Sequence, residues 1–135
     1  MRFKEEIIIQ ASPSVIFEKY KNVVSWKSWD CDVKESKLLG EFKKGSFGVL
    51  VPAKGPKAKI ELTEVTLNGS FTSLTKLPLC IMKFDHQLED LGESTKVTHS
   101  VSFSGLTSSI FGRLIGEPIK RSLPKTLKAL KTSCE

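Results

Sequence analysis

The stretch IIIQASPSVIFEKYKNVVSWKSWD, residues 7–30, indicates how the fold begins. Ile7–Ile9 form a short apolar run that predicts the buried part of a first strand. Ser12 has the side chain that a helix N-cap prefers, and Pro13 suits the first helical position because its missing N–H would have no partner there. The sequence therefore predicts a strand that passes directly into a helix.

The rest of this stretch predicts two short helical segments. Ile16 and Tyr20 are four positions apart and share one face of the first segment. Ser25 is placed to cap a second turn, on which Trp26 and Trp29 are three positions apart and share a face. A single turn is not stable on helix propensity alone. We therefore expect both indoles to pack against a sheet, with a rim at the mouth of a cavity as the alternative.

Strand patterns dominate the middle of the chain. Gly45–Val51 predicts one strand, and residues 58–65 predict another whose alternate positions are apolar. The dipeptide Asn68-Gly69 is the strongest hairpin signal in the chain. Pro78 should end the strand that begins after Asn68-Gly69. These features indicate an antiparallel sheet.

Residues 80–90 and 94–105 form a second predicted hairpin, with a two-residue turn at Gly92-Glu93. A single register brings every apolar residue of one face into alignment, and burial of one face is what fixes a register. That register pairs Leu88 with Val97, His86 with His99, Phe84 with Val101 and Met82 with Phe103. It therefore places the only two histidines of the chain opposite each other among apolar neighbours.

Residues 106–135 predict one long amphipathic helix. Its apolar face contains Phe111, Ile115, Ile119, Leu123, Leu127 and Leu130. Its basic face contains Arg113, Lys120, Arg121, Lys125, Lys128 and Lys131. Gly112 lies within the apolar face, where we expect it to leave a gap, and Pro124 lies on the basic face. Ile110 and Leu114 are exceptions, because both fall on the basic side.

Two stretches resemble a known superfamily. The segment of residues 7–30 resembles the N-terminal signature of the START-like (SRPBCC) helix-grip superfamily, which has a strand, Ala-Ser-Pro, a short helix and Trp-x-x-Trp. The end of the chain, STKVTHSVSFSG…LPKTLKALKTSCE, is similar to its polyketide cyclase/dehydrase-like branch. The resemblance implies an α+β helix-grip fold, in which a curved antiparallel sheet of six to seven strands grips the long C-terminal helix. It also implies an apolar cavity between the two, and it carries no shared catalytic motif.

Size, charge and cysteine content limit the remaining possibilities. The length of 135 residues suits a single domain covering residues 1–135. The chain has three cysteines, an odd number, and they are far apart: Cys31, Cys80 and Cys134. We therefore expect neither a disulfide framework nor a metal site, and we expect the protein to be cytoplasmic. No secretory signal, cofactor motif or phosphate-binding loop is evident, and we expect no cofactor.

These features favour the binding of a small hydrophobic or amphipathic ligand in the implied cavity. The candidate ligand-binding residues combine the apolar wall of the second hairpin, its two histidines and the first half of the helical apolar face. They are Phe84, His86, His99, Val101, Phe103, Phe111, Gly112, Ile115 and Ile119. No catalytic residue is assigned by this interpretation.

Two other classes of function remain open. A cyclase or dehydratase would need an acid and a base inside the cavity, and His86 and His99 are the histidine candidates. An interaction protein would dock through its basic C-terminal helix, since the net charge is +6. Few aromatics lie among the basic residues, so we expect no nucleic-acid partner. Ile110 and Leu114 instead favour peripheral contact with an anionic membrane.

Overall fold

A seven-stranded antiparallel sheet forms the body of the computed structural model, which describes all residues from 1 to 135. The strands are β1 (Arg2–Ile9), β2 (Val33–Leu39), β3 (Phe47–Pro52), β4 (Ala58–Thr66), β5 (Ser70–Leu77), β6 (Cys80–Asp90) and β7 (Thr95–Ser104). Across the sheet they follow the order β1-β7-β6-β5-β4-β3-β2. Consecutive strands from β2 to β7 are therefore neighbours, and the first strand pairs with the last.

Helical segments lie between the first two strands and at the end of the chain. Helix α1 (Pro13–Lys21) is followed by a 3₁₀ turn at Val23–Ser28. The C-terminal helix consists of α2 (Ser108–Phe111), a π-helical segment at Gly112–Gly116 and α3 (Glu117–Cys134). A sheet with one long C-terminal helix and two short helical segments after its first strand is the predicted α+β helix-grip architecture, which is thus confirmed.

The second hairpin has the predicted register throughout. The partners of Phe84, His86 and Leu88 are Val101, His99 and Val97, and pairing ends at Asp90 with Thr95. The β4–β5 hairpin also forms, and Asn68 adopts the left-handed conformation that asparagine tolerates in turns, with φ of 58°. Strand β5 ends at the residue before Pro78, as expected.

Two apolar clusters separate the sheet from the helices. The main core extends from α1 and the 3₁₀ turn to α3, where Leu127 and Leu130 are buried. The second, which we call the small cluster, lies under the start of the C-terminal helix. Its buried members are Cys80, Val101 and Phe103, and its half-buried members are Phe3, Leu77, Met82, Phe84, Phe111, Ile115 and Ile119.

Several predicted boundaries are wrong. The second short turn begins at Val23 rather than Ser25. The strand expected at Gly45–Val51 spans Phe47–Pro52, and the C-terminal helix begins at Ser108 rather than at residue 106. Strand β2 had no sequence prediction, because the segment Val33–Leu39 does not alternate cleanly and carries a bulge between Val33 and Glu35.

Candidate functional site

The two histidines form the polar centre of the molecule. His86 on β6 and His99 on β7 are directly opposite each other, with ring centroids 4.5 Å apart. The exposed fraction is 6% for His86 and 0% for His99, so both are buried among their apolar neighbours. Both rings face the helices, because their positions alternate with outward-facing residues on each strand.

Each histidine has one defined hydrogen-bond partner. The Nε2 atom of His99 lies 2.8 Å from the hydroxyl of Tyr20 on α1. The Nδ1 atom of His86 lies 3.1 Å from the main-chain carbonyl of Phe71 on β5. A carbonyl only accepts, so His86 carries its proton on Nδ1 and leaves Nε2 as an acceptor.

Burial holds both histidines in their neutral form. Loss of hydration lowers the pKa of His86 to about 4, although the Phe71 carbonyl and the Asp85 carboxylate oppose this effect. The pKa of His99 falls well below its ordinary value, first through burial and second through the proximity of His86. Burial also raises the pKa of the Tyr20 hydroxyl well above its usual value. The centre is therefore polar but uncharged near neutral pH.

Aromatic rings enclose the histidine pair. The ring of His86 stacks on Phe71 at a centroid distance of 3.8 Å and on Phe84 at 4.7 Å, with interplanar angles of 6° in both pairs. Tyr20 contacts both imidazoles, with centroid distances of 5.4 and 5.8 Å. These contacts fix the ring planes and leave the pair little rotational freedom.

The paired tryptophans pack into the same region. Both indoles are buried, as the packing interpretation predicted. Trp26 donates its Nε1–H to the main-chain carbonyl of Tyr20 at 2.9 Å. Trp29 lies beside His99, with 6.2 Å between ring centroids, but its Nε1 atom has no hydrogen-bond partner. The turn thus fixes the end of α1 and adds an unpaired donor beside the histidines.

The structure gathers the predicted apolar wall into the small cluster. Phe84, Val101, Phe103, Phe111, Ile115 and Ile119 all belong to it. In the strand register, Phe3, Val101 and Phe84 form one row across the sheet, and Glu5, His99 and His86 form the next. The histidines therefore lie at the border between the small cluster and the main core. No sequence pattern indicated a role for Phe3, Glu5 or the Tyr20 hydroxyl.

The gap expected at Gly112 is not present. Gly112 is buried, and a Cβ placed on it would lie 2.8 Å from Met1 Sδ. A Cβ on Gly116 would lie 2.9 Å from a ring carbon of Phe103 and 3.2 Å from the same sulfur. The side chain of Met1 thus occupies the space that the two glycines leave. The periodicity of the helix could not show this contact, because Met1 belongs to the other end of the chain.

Two surface depressions lie away from the histidines. One, of about 270 Å³, is lined in part by Phe17, Phe42 and Val65. The other, of about 350 Å³, is bordered by Leu39, Val49 and two lysines at the start of β4, Lys57 and Lys59. Neither includes a residue of the predicted wall.

A second cluster of polar residues surrounds Asp30, the residue that follows Trp29 in the sequence. The Asp32 main-chain N–H donates to Asp30 Oδ1 at 3.0 Å, and Ser122 on α3 donates to the Asp32 carboxylate. Loss of hydration raises the pKa of the Asp30 carboxyl to about 6, against hydrogen bonds from Asp32 and Thr126 that lower it.

No group of three or more His, Cys, Asp or Glu side chains is arranged to hold a metal ion. No helix is long and apolar enough to cross a membrane.

The sequence and the fold both match known proteins. A family model described as polyketide cyclase / dehydrase and lipid transport matches residues 1–135. The chain belongs to this family. No curated protein matches the sequence significantly. The START-like resemblance is therefore confirmed at the level of the polyketide cyclase/dehydrase and lipid transport family.

Solved structures with the same fold have very different sequences. A START superfamily protein from Mycobacterium smegmatis superposes with a TM-score of 0.75 at 14% identity, covering 98% of this chain and 96% of the other. Hypothetical protein jhp0584 from Helicobacter pylori gives 0.81 at 10% identity, with coverage of 100% and 88%. Protein MLL2253 from Mesorhizobium loti gives 0.78 at 14% identity, with coverage of 98% and 95%. At these identities the likeness concerns the fold.

Proposed function

We propose that the protein binds a small hydrophobic or amphipathic molecule beneath the first half of its C-terminal helix. The observation that carries this proposal is the small cluster, in which seven of the ten side chains are only half-buried although they lie between the sheet and the helix. The π-helical segment lies directly above, and such segments occur frequently at functional sites. The family description, which includes lipid transport, also supports a ligand of this class.

The arrangement of residues suits an amphipathic molecule. Apolar groups would contact Phe84, Phe111 and Ile115, while the neighbouring row offers the buried, uncharged histidines. Binding requires the Met1 side chain and the helix start to move, since Met1 Sδ lies against both glycines. Apolar sites with a few placed polar groups are the usual form of small-molecule pockets.

A fluorescence titration tests this function. The neutral dye 1-N-phenylnaphthylamine should bind with one-to-one stoichiometry and increase in emission. Ile115→Asn places a polar group in the wall and should weaken binding at least several-fold, as expected for the loss of roughly 1 kcal/mol or more of apolar contact. Ile110→Asn is the matched control, because Ile110 is on the same helix but exposed. Equal affinities for both variants would contradict the proposed location.

We infer a second function, peripheral docking on an anionic membrane, from an apolar tip beside the helix start. The tip consists of Leu79, Leu106, Ile110 and Leu114, whose exposed fractions are 68%, 87%, 56% and 68%. Thr107 joins its two parts by donating its N–H to the Leu79 carbonyl at 3.2 Å and its hydroxyl to the Pro78 carbonyl. Leu79 has φ of 56°, an unusual conformation for leucine.

Charge supports a lipid surface as the occupant of this tip. Arg113, Lys120 and Arg121 are exposed on the adjoining helix, and the whole chain has a net charge of +6. Basic side chains near exposed apolar ones are the pattern of interfacial anchors. The tip also adjoins the small cluster, so docking would bring the ligand site close to the bilayer.

Vesicle sedimentation separates this function from ligand binding. Vesicles of phosphatidylcholine with phosphatidylserine should retain the protein at low salt, whereas pure phosphatidylcholine should not. Leu114→Ser should reduce retention. Leu67→Ser is the matched control, because Leu67 is equally exposed but lies at the β4–β5 turn. Retention that is insensitive to Leu114→Ser would contradict the assignment of the tip.

The catalytic alternative rests on the same histidines. The structure brings His86 and His99 together, but their defined partners are the Tyr20 hydroxyl and a main-chain carbonyl rather than a carboxylate. We therefore favour a binding role for the pair.

A reducing compartment such as the cytoplasm suits the three cysteines, all of which are free thiols.

A further inference from the structure

Two buried polar atoms at the histidine centre have no hydrogen-bond partner. They are Trp29 Nε1 and His99 Nδ1, and they belong to neighbouring rings whose centroids are 6.2 Å apart. Buried polar groups are nearly always paired, and an unpaired donor costs about 1–3 kcal/mol. Two such atoms on adjacent rings therefore indicate a missing partner.

The hydrogen-bond pattern shows which kind of partner is missing. The only partner of the Tyr20 hydroxyl is His99 Nε2, at 2.8 Å. If the imidazole donated this bond, the buried hydroxyl hydrogen of Tyr20 would have no acceptor. The hydroxyl therefore donates to Nε2, and the proton of the neutral imidazole is on Nδ1. Trp29 Nε1 is also a donor. Both unpaired atoms are N–H donors, so the missing partner is an acceptor.

We propose that Trp29 Nε1–H and His99 Nδ1–H together bind a neutral carbonyl oxygen of the ligand. This inference rests on the proposed binding function and specifies the chemistry of the ligand's polar end. A carbonyl oxygen has two lone pairs and accepts from two donors at once. The ligand class is thus an apolar molecule that carries a ketone, ester or amide group.

Charge excludes the obvious competitor, a carboxylate. Burial keeps the histidine rings and the Tyr20 hydroxyl uncharged, and a buried carboxylate without a positive partner is strongly unfavourable. The residues next to the two donors include two acidic ones and no Lys or Arg. Glu5 is directly opposite His99 on β1, and Asp30 follows Trp29 in the chain. A fatty-acid headgroup therefore does not fit this centre, whereas a neutral oxygen does.

The position of the donors fits the proposed ligand site. The row containing His99 is adjacent to the row containing Val101 and Phe84, which belong to the small cluster. A molecule whose apolar part lies under the start of the C-terminal helix would extend its polar end toward Trp29 and His99. The tryptophan turn thus acquires a second role besides packing.

Two matched compounds test the proposal with the full chain. Valerophenone and pentylbenzene have the same shape, but only the first has a carbonyl group. The two tryptophans give two indole N–H signals in a ¹H–¹⁵N spectrum, and Trp26, already bonded to the Tyr20 carbonyl, is an internal control. Valerophenone should shift the Trp29 indole signal and the His99 Nδ1 signal and leave Trp26 unchanged. Pentylbenzene should bind without shifting the Trp29 signal in this way.

A variant adds an independent readout. Trp29→Phe should weaken valerophenone binding about three- to tenfold, as expected for one lost hydrogen bond, and change pentylbenzene affinity little. An equal loss for both compounds, or a Trp29 signal unmoved by bound valerophenone, would overturn the carbonyl site and leave the binding function intact. A long-lived water that stays on Trp29 in the complex would also overturn it. If neither compound binds, both the site and the binding function fail.

Discussion

The imidazoles of His86 and His99 face each other across β6 and β7 at a centroid distance of 4.5 Å, and both are buried in their neutral form. This pair occupies the boundary between the main core and the small cluster. A charged pair there would lack both water and a counter-ion, so the protein is most stable when neither ring is protonated.

An NMR titration of the two imidazoles tests their state directly. His86 should protonate with a midpoint near pH 4, because burial lowers its pKa to about 4. The pKa of His99 is also lowered, first by burial and second by His86, so this ring should stay neutral near neutral pH as well. The two should behave as a coupled pair. Independent midpoints near the solvent value of about 6.5 would contradict their burial.

Stability should fall as the solution is acidified below about pH 6.5. Both histidines have folded pKa values below the unfolded value of 6.5, so the unfolded chain binds more protons and gains stability as pH falls. Asp30 acts in the opposite direction between about pH 6 and about pH 4. Its folded pKa of about 6 exceeds the ordinary aspartate value of 3.8, so the folded chain takes up that proton first.

Asp30→Asn should therefore steepen the acid dependence. Each titrating group changes the free energy of unfolding by about 1.4 kcal/mol per pH unit across its window. Between about pH 6 and about pH 4, acidification lowers the free energy of unfolding of the wild type through two histidines and raises it through Asp30, so the two effects partly cancel. In the variant only the lowering by the two histidines remains. Urea denaturation at several pH values measures these slopes. Parallel slopes for the two proteins would contradict a raised pKa at Asp30.

Tyr20→Phe should destabilise the fold by about 1–3 kcal/mol, because it leaves His99 Nε2 buried without its donor. The ring contacts of Tyr20 with Trp29 and Phe71 remain in this variant. Thermal and urea denaturation measure the loss. A change below about 0.5 kcal/mol would show that the hydroxyl is paired elsewhere.

Leu127→Ala should cost about 2–5 kcal/mol, since Leu127 is buried in the main core beneath α3. Lys128→Ala is the control on the next residue, which is exposed, and should change stability by less than about 0.5 kcal/mol. Similar losses in the two variants would contradict the assigned face of the helix.

Local patterns predicted the hairpin that carries the histidines. Alternation along β6 and β7 allowed one register only, so the pairing of His86 with His99 followed from the sequence. The exposure of Ile110 and Leu114 also followed from helical periodicity. These features depend on neighbours in the sequence or on a single short turn.

Long-range contacts could not be predicted in the same way. The contact between Met1 and Gly112 joins opposite ends of the chain, and no periodic pattern records it. The Tyr20–His99 hydrogen bond likewise joins α1 to the last strand. The sequence pattern predicted Tyr20 only as a residue on the apolar face of the first helix. The π-helical segment was missed because the helical projection assumes a constant angle per residue.

Methyl NMR of the isoleucines, recorded while pentylbenzene is added, tests the central proposal most directly. A ligand beneath the start of the C-terminal helix should shift the Ile115 and Ile119 methyl signals, because both side chains belong to the small cluster. The signals of Ile16 and Ile60, which are buried in the main core, should stay in place. Shifts confined to Ile110 at the apolar tip, or no shifts at all, would contradict a ligand site between the sheet and the helix.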